Sequence, residues 1–186
     1  QIRNWNMDFI HGDILDKDMI YKNFRDADIV HHLAGVTDVP RTKNEASDER
    51  DKKIKLIGEK GTQNILEAIN EKCKIIFPST HVIYEGINEV KKNIVEEEDA
   101  MPVLSYSSSK ATNERQLRDS GKNYIILRLG SVYGYSNDTA RIDIMPNLFS
   151  KISSQNGTLK PFSGGRQIKS LVPLIDVARC FKFMEE

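Results

Sequence analysis

Residues 123–129, Asn123-Tyr124-Ile125-Ile126-Leu127-Arg128-Leu129, decide the fold. A run with almost no polar interruption cannot turn alternate residues to water. It predicts a strand buried on both faces, as in a parallel sheet. Arg128 is the exception, and a guanidinium in such a strand needs a carboxylate in a structural ion pair. Upstream, the pattern predicts a helix over about 105–120, stopped by Gly121. Before it, Lys74-Ile75-Ile76-Phe77 reads as a strand closed by Pro78. A helix over about 51–71 is predicted from Ile54, Ile57, Ile65, Leu66 and Ile69 at helical spacing. Residues 27–33 read as a buried strand, and residues 16–25 as a helix capped by Asp16. Met7 to His11 reads as a short strand ended by Gly12-Asp13. Downstream, a helix over 144–153, short strands near 159–162 and 168–172, and a helix from Leu174 complete the pattern. Residues 37–49 form a charged loop expected to be mobile. Residues 85–103 form a polar loop whose acidic run, 96–99, is expected on a solvated surface. This alternation predicts one α/β domain, doubly wound around a parallel sheet, with helices on both faces.

The chain has 186 residues, 27 Lys+Arg and 27 Asp+Glu, so its formal net charge is zero. That balance, with no basic block interleaved with aromatics, argues against a nucleic-acid partner. No apolar run reaches the roughly 18 residues of a membrane span. Cys73 and Cys180 are expected as buried free thiols in a reducing compartment, and a cytoplasmic location follows. No Cys/His spacing suits a metal. Gln1-Ile2-Arg3-Asn4-Trp5 is neither a signal peptide nor an initiator, and reads as a start in mid-chain.

Tyr106 and Lys110 lie four apart on one helix face, in Tyr106-Ser107-Ser108-Ser109-Lys110. A nearby ammonium favours a phenolate, so Lys110 is expected to lower the Tyr106 pKa and make it an acid/base. Alone, the pair is weak evidence and reads first as a solvated helix face. In a doubly wound fold, ligands bind at the carboxyl ends of strands. Four such ends align: Gly12-Asp13-Ile14, Leu33-Ala34-Gly35, Ser79-Thr80 and Gly130-Ser131-Val132-Tyr133-Gly134. Asp13 can accept from an amino group, or simply cap a turn. Small residues at 34–35 leave room for a flat ligand, or merely ease packing. Thr80 would supply the hydroxyl that a Tyr–Lys pair requires for hydride transfer at a carbon bearing a hydroxyl, or simply cap a helix or turn. His81, beside Thr80, could reach a substrate, and Lys169, after Gly164-Gly165-Arg166, could meet an anion or be an ordinary exposed hairpin lysine. His11, His31 and His32 read as structural.

These segments, in this order, resemble the extended short-chain dehydrogenase/reductase family, in its NAD-dependent nucleotide-sugar epimerase/dehydratase branch. The resemblance spans nearly the whole chain. Residues 8–14 are similar to the segment whose aspartate contacts the adenine, which assigns Asp13 and Ile14 to a cofactor. Residues 28–35 are similar to the family's Asp-x-Val-x-His-Leu-Ala-Ala strand, so Leu33, Ala34 and Gly35 would line the dinucleotide. Residues 61–68 match the helix after it. Residues 77–84 resemble the strand and loop of the catalytic Ser/Thr, a place that Thr80 takes, and Tyr106 and Lys110 match the catalytic pair. Residues 127–134 resemble the stretch beside the nicotinamide, which adds Leu129 and Val132. Residues 163–169 and 175–178 resemble a substrate-side hairpin and the following helix. The resemblance implies a Rossmann-like fold, NAD (or NADP) as cofactor, and a nucleotide sugar bound by Thr80, His81, Ser131 and Lys169. It also implies a homodimer through helices 51–71 and 105–120.

The chain departs from the family pattern in several places. It contains no Gly-x-x-Gly-x-x-Gly phosphate loop. It therefore reads as one truncated NAD(P)-binding domain over 1–186, with substrate-side elements at about 135–172. Ser131 stands where the family usually has an asparagine, and Gly58 where one often occurs. Lys169 stands for an arginine and lacks its bidentate fork. His81-Val82 stands where 4,6-dehydratases carry Asp-Glu, which favours epimerisation or plain reduction over dehydration. Three readings stay open: a nucleotide-sugar epimerase, a dinucleotide- or sugar-nucleotide-binding protein without turnover, and a reductase of a non-sugar carbonyl.

Overall fold

The computed structural model describes residues 7–36, 47–135 and 141–186. In chain order the elements are α1 (Lys17–Phe24), β1 (Ile29–His31), α2 (Asp48–Lys55), α3 (Gly61–Ala68), β2 (Lys74–Thr80), α4 (Ser105–Asp119), β3 (Asn123–Leu129), β4 (Ser131–Tyr133), α5 (Met145–Ser154), β5 (Leu171–Pro173) and α6 (Leu174–Met184). A π-helical turn, Leu56–Lys60, joins α2 to α3. The strands form two parallel sheets, one of order β1-β2-β3 and one pairing β4 with β5. The α/β class stands, with the parallel ladder divided between the two sheets.

Alternation along the strands sends Val30, Ile75 and Phe77 to one face. There they pack with Ile20 of α1, Ile65 and Leu66 of α3 and Leu117 of α4 to form the core. On the other face His31 stacks on Phe181 of α6 at 5.4 Å between ring centroids. Its Nε2 lies 3.1 Å from a carboxylate oxygen of Glu185. The Lys74 Nζ donates to the Met184 and Glu185 carbonyls at the end of α6. Helices thus cover both faces of the larger sheet.

Several boundaries differ from the sequence reading, each for a local reason. Met7 to His11 is not a strand: no described residue pairs with it, and Phe9 is exposed. The strand predicted over 27–33 shortens to Ile29–His31. The second helix begins at Asp48, so Asp48 and Glu49 leave the charged loop. Ser47 caps it by accepting from the Arg50 N–H at 3.3 Å, and acids fill its first turn. Residues 37–46 of that loop lie outside the described residues. The helix ends at Ala68 because Asn70 closes a turn, accepting from the Lys72 and Cys73 N–H groups.

Pro78 does not close β2 but lies inside it. Ile76 faces β1, its carbonyl accepting from His32 N–H. Pro78, two residues on, faces the same side beyond the last rung of β1, where no ladder bond is lost. β3 is exposed at Asn123 and Tyr124 and half-buried beyond them rather than buried on both faces, because among the described residues it pairs only with β2. No strand forms at 159–162, and no hairpin at 163–169. Pro161 cannot donate to a ladder, and Gly164 (φ +65) and Gly165 (φ +76) curl the chain into a 3₁₀ turn. The last strand starts only at Leu171 and pairs in parallel with β4. Among the described residues no helix is long and apolar enough to cross a membrane, and no group of three or more His, Cys, Asp or Glu is arranged to hold a metal. Both cysteines are free: Cys73 is buried and Cys180 half-buried.

Candidate active site

The carboxyl end of β2 gathers the predicted catalytic groups. Thr80 ends the strand, 9% exposed, opposite Leu129 of β3. Its hydroxyl oxygen accepts from the Val82 N–H at 3.3 Å, capping the short 3₁₀ turn at 81–84. Lys110 reaches the same strand from α4. Its Nζ donates to the Pro78 carbonyl at 2.8 Å and lies 4.3 Å from the centroid of the Phe77 ring. The Tyr106 ring centroid is 6.0 Å from that Nζ, so both residues share one face of α4 as the spacing predicted.

The electrostatics of the pair differ from the expectation. Burial raises the Tyr106 pKa, with the Arg141 guanidinium acting against it, rather than Lys110 lowering it. The reason is geometric: the ammonium is turned to a strand carbonyl. In this arrangement Tyr106 is a protonated phenol, set to donate. Lys110 is itself pushed down to about 8 by burial, with the Glu114 carboxylate acting against the fall. Two of its three ammonium N–H bonds remain for other acceptors.

His32 occupies the far side of this centre. The Thr62 hydroxyl donates to the Gly58 carbonyl at 2.7 Å, so His32 Nε2–H must donate to Thr62 at 2.8 Å. Its Nδ1 is then an unprotonated acceptor, buried and without a partner among the described residues. Burial, then the charge of Lys110, holds its pKa down at about 4. The structural reading of His32 stands, and its neutral state follows from its neighbours. An asparagine at 58 would require the Ser109 hydroxyl to move. A Cβ there would lie 2.5 Å from the Ser109 Oγ, because α4 closes on the π turn. Asn113 of α4 donates to the Gly58 carbonyl at 3.1 Å.

The predicted cofactor residues divide. Gly12, Ile14, His32, Leu33 and Ala34 line one cavity of about 360 Å³ beside β1. Leu33 is 65% exposed there. No described atom lies within 4 Å of a side chain built at Gly35. This apolar shelf with open backbone fits the flat rings of a dinucleotide. Asp13 is exposed. One of its carboxylate oxygens accepts from the Leu15 N–H at 2.9 Å, which is the turn-capping alternative. Its other oxygen makes no bond among the described residues. Leu129, at the end of β3, and Val132, in the middle of β4, are half-buried and apart from that cavity.

The predicted substrate residues meet at a third place. His81 and Lys169 line a cavity of about 760 Å³ with Tyr84, Val95, Glu96 and Arg128. His81 Nδ1 donates to the Leu129 carbonyl at 3.0 Å, which leaves Nε2 as its second polar atom. Lys169 is exposed on its rim. Ser131 is half-buried at the start of β4, its N–H donating to the Ser170 carbonyl at 2.8 Å.

The carboxylate sought for Arg128 is Glu114, which the sequence reading did not name. Arg128 Nη2 lies 2.7 Å from Glu114 Oε2. No spacing in the sequence marks it, because Glu114 meets Arg128 only where α4 packs on β3. Burial works against its charge, yet hydrogen bonds from Arg128 and Ser79, with the charges of Arg128 and Arg118, hold its carboxyl below the ordinary value.

Comparison with known proteins agrees with this geometry. CDP-paratose 2-epimerase of Salmonella typhi is 28% identical over 202 residues, covering 92% of this chain and 58% of its own. The UDP-glucuronic acid 4-epimerase of Bacillus cereus, solved with UDP-glucuronic acid and NAD, is 25% identical. Its TM-score is 0.78, over 100% of this chain and 59% of its own. The UDP-N-acetylglucosamine 4-epimerase of Methanobrevibacter ruminantium shares the fold at 21% identity and a TM-score of 0.78, over 100% of this chain and 61% of its own. The chain thus spans a little over half the length of these proteins. Residues 2–186 match the model of the NAD dependent epimerase/dehydratase family, and the chain belongs to that family.

Proposed function

We propose that this chain is the cofactor-binding and catalytic part of an NAD-dependent nucleotide-sugar epimerase. The observation that carries this reading is the placement of Lys110. A half-buried ammonium on the Pro78 carbonyl joins the helix of Tyr106 to the strand that ends in Thr80. Asp13, Ile14, Leu33, Ala34 and Gly35 would hold the adenosine side of NAD, and Lys110, Leu129 and Val132 the nicotinamide side. NAD, when bound, supplies the acceptor for a hydride from the sugar carbon and returns it. The Thr80 hydroxyl would polarise the sugar oxygen. Tyr106, once its own proton has passed to solvent and Lys110 has turned from Pro78 to hold the phenolate, would accept that oxygen's proton, and would return it to the same oxygen when the turned keto sugar takes the hydride back on its other face. His81 and Val82, in place of a second acid and base, support epimerisation over dehydration. Lys169 and Ser131 would meet the nucleotide sugar at the cavity of about 760 Å³.

The domain reading stands as part of this proposal: one Rossmann-like unit over 1–186, with substrate-side elements at about 135–172. So does a cytoplasmic location, which the two free thiols support. A homodimer through α2–α3 and α4 is supported by their side-by-side packing. Gln116 donates to the Glu59 carbonyl at 3.0 Å, and a groove runs between Gln63 and Thr112.

One observation favours a second reading, binding without turnover: the Tyr106 phenol is held protonated. Titration with NAD(H) and NADP(H), then assay of UDP-, GDP-, dTDP- and CDP-sugars, separates the two. The proposal expects NAD(H) to bind and one sugar to be converted to its epimer with no net change in NADH. Binding with no conversion across the panel favours the second reading. Net oxidation of NADH by a simple ketone would instead indicate a carbonyl reductase.

A further inference from the structure

We propose that Glu114 is the positioning residue of this catalytic centre. It holds the strand end bearing Thr80 against the helix of Tyr106 and Lys110, and ties both to the rim of the substrate-side cavity. The inference rests on the epimerase reading above.

Glu114 is 1% exposed, and its carboxylate receives donors from three elements. Ser79 of β2 donates to Oε1 at 2.5 Å. Arg128 of β3 donates through Nε to Oε1 at 3.1 Å and through Nη2 to Oε2 at 2.7 Å. Arg118, one turn along α4, donates to Oε2 at 2.8 Å. Charge neutralisation explains the two arginine partners but not Ser79. Ser79 immediately precedes Thr80, so a pin on its hydroxyl fixes the peptide plane that carries Thr80. Glu114 sits one turn beyond Lys110, so the same carboxylate fixes the height of α4 over that strand end.

The far side of Arg128 extends the linkage. Its Nη1 donates to the Glu96 carbonyl at 2.8 Å and to the Tyr84 hydroxyl. That hydroxyl donates to the Val95 carbonyl at 3.3 Å. Tyr84, Val95 and Glu96 line the cavity that holds His81 and Lys169. One buried carboxylate therefore sets the catalytic strand, the catalytic helix and the cavity rim in mutual register. Misplacement of a reacting group by about 1 Å can cost on the order of 100-fold in rate.

A counter-ion for Arg128 would be indifferent to Ser79, and this separates the two roles. In the full-length protein, Ser79→Ala removes the hydroxyl and leaves both arginine pairs intact. We expect kcat to fall about tenfold on the nucleotide sugar that the wild type converts. KM, the NADH dissociation constant by fluorescence, and the melting temperature should stay close to wild type. Glu114→Gln should lower kcat further, and the double variant no more than Glu114→Gln alone. If Glu114→Gln fails to fold, Ser79→Ala decides by itself. Wild-type kcat in Ser79→Ala, measured beside an inactive Tyr106→Phe, overturns the positioning role and leaves the epimerase reading intact. An active Tyr106→Phe overturns the reading beneath it.

Discussion

Between β2 and α4 the buried polar side chains Ser79, Asn113 and Glu114 all have partners, and Phe77 beneath them is 1% exposed. At the end of β1 the reverse holds. Leu33 stands 65% exposed beside Ala34 and Gly35, with only an open cavity of about 360 Å³ at hand. The first region is finished by its own side chains. The second is a shelf, and its apolar surface is the kind a flat ring would cover. A protein that must hold catalytic groups still while admitting a cofactor needs both kinds of construction.

Breaking the first region should cost far more stability than breaking the second. Phe77→Ala empties a buried site in the core and is expected to lose about 3–5 kcal/mol in urea unfolding. A loss under about 1 kcal/mol would mean the β2–α4 interface is not the stable block described. The next largest effect concerns Lys110. Its pKa in the free protein is pushed down to about 8, and the charged form is the one that can hold a phenolate or a ribose. Raising the pH removes that charge, so kcat/KM should fall by about tenfold per unit above pH 8. A profile flat to pH 10 would contradict a half-buried, functional ammonium. Leu33→Ala should be the mildest, within about 0.5 kcal/mol of wild-type stability, because its side chain is already in water. It should nevertheless weaken NADH binding several-fold. An unchanged dissociation constant would remove Leu33 from the cofactor surface.

The same contrast explains what was legible in the sequence. Helices with caps and apolar spacing were readable: Asp16 accepts from the Met19 N–H as a cap should, and α4 ends where Gly121 takes φ +69. The need of Arg128 for a carboxylate was readable too, from one charge in an apolar run. Which carboxylate was not, because Glu114 meets Arg128 only through the packing of α4 on β3. Strands were read less well, since a strand exists only with a neighbour. Met7 to His11 has strand-like residues and no ladder, while Pro78 sits in a strand because β1 ends one rung earlier. The chemistry of Tyr106 illustrates the same limit. Spacing places Lys110 on the right face, but spacing cannot reveal that its ammonium turns to the Pro78 carbonyl while burial raises the phenol.

The central claim is that Tyr106, beside Lys110 and Thr80, exchanges a proton with a sugar hydroxyl. Tyr106→Phe in the full-length protein tests it most directly, with turnover of the nucleotide sugar and NADH affinity measured on the same preparation. The account predicts turnover at least about 100-fold lower, in the range that general acid–base groups supply, with NADH binding within about threefold of wild type. Turnover at the wild-type rate would contradict it.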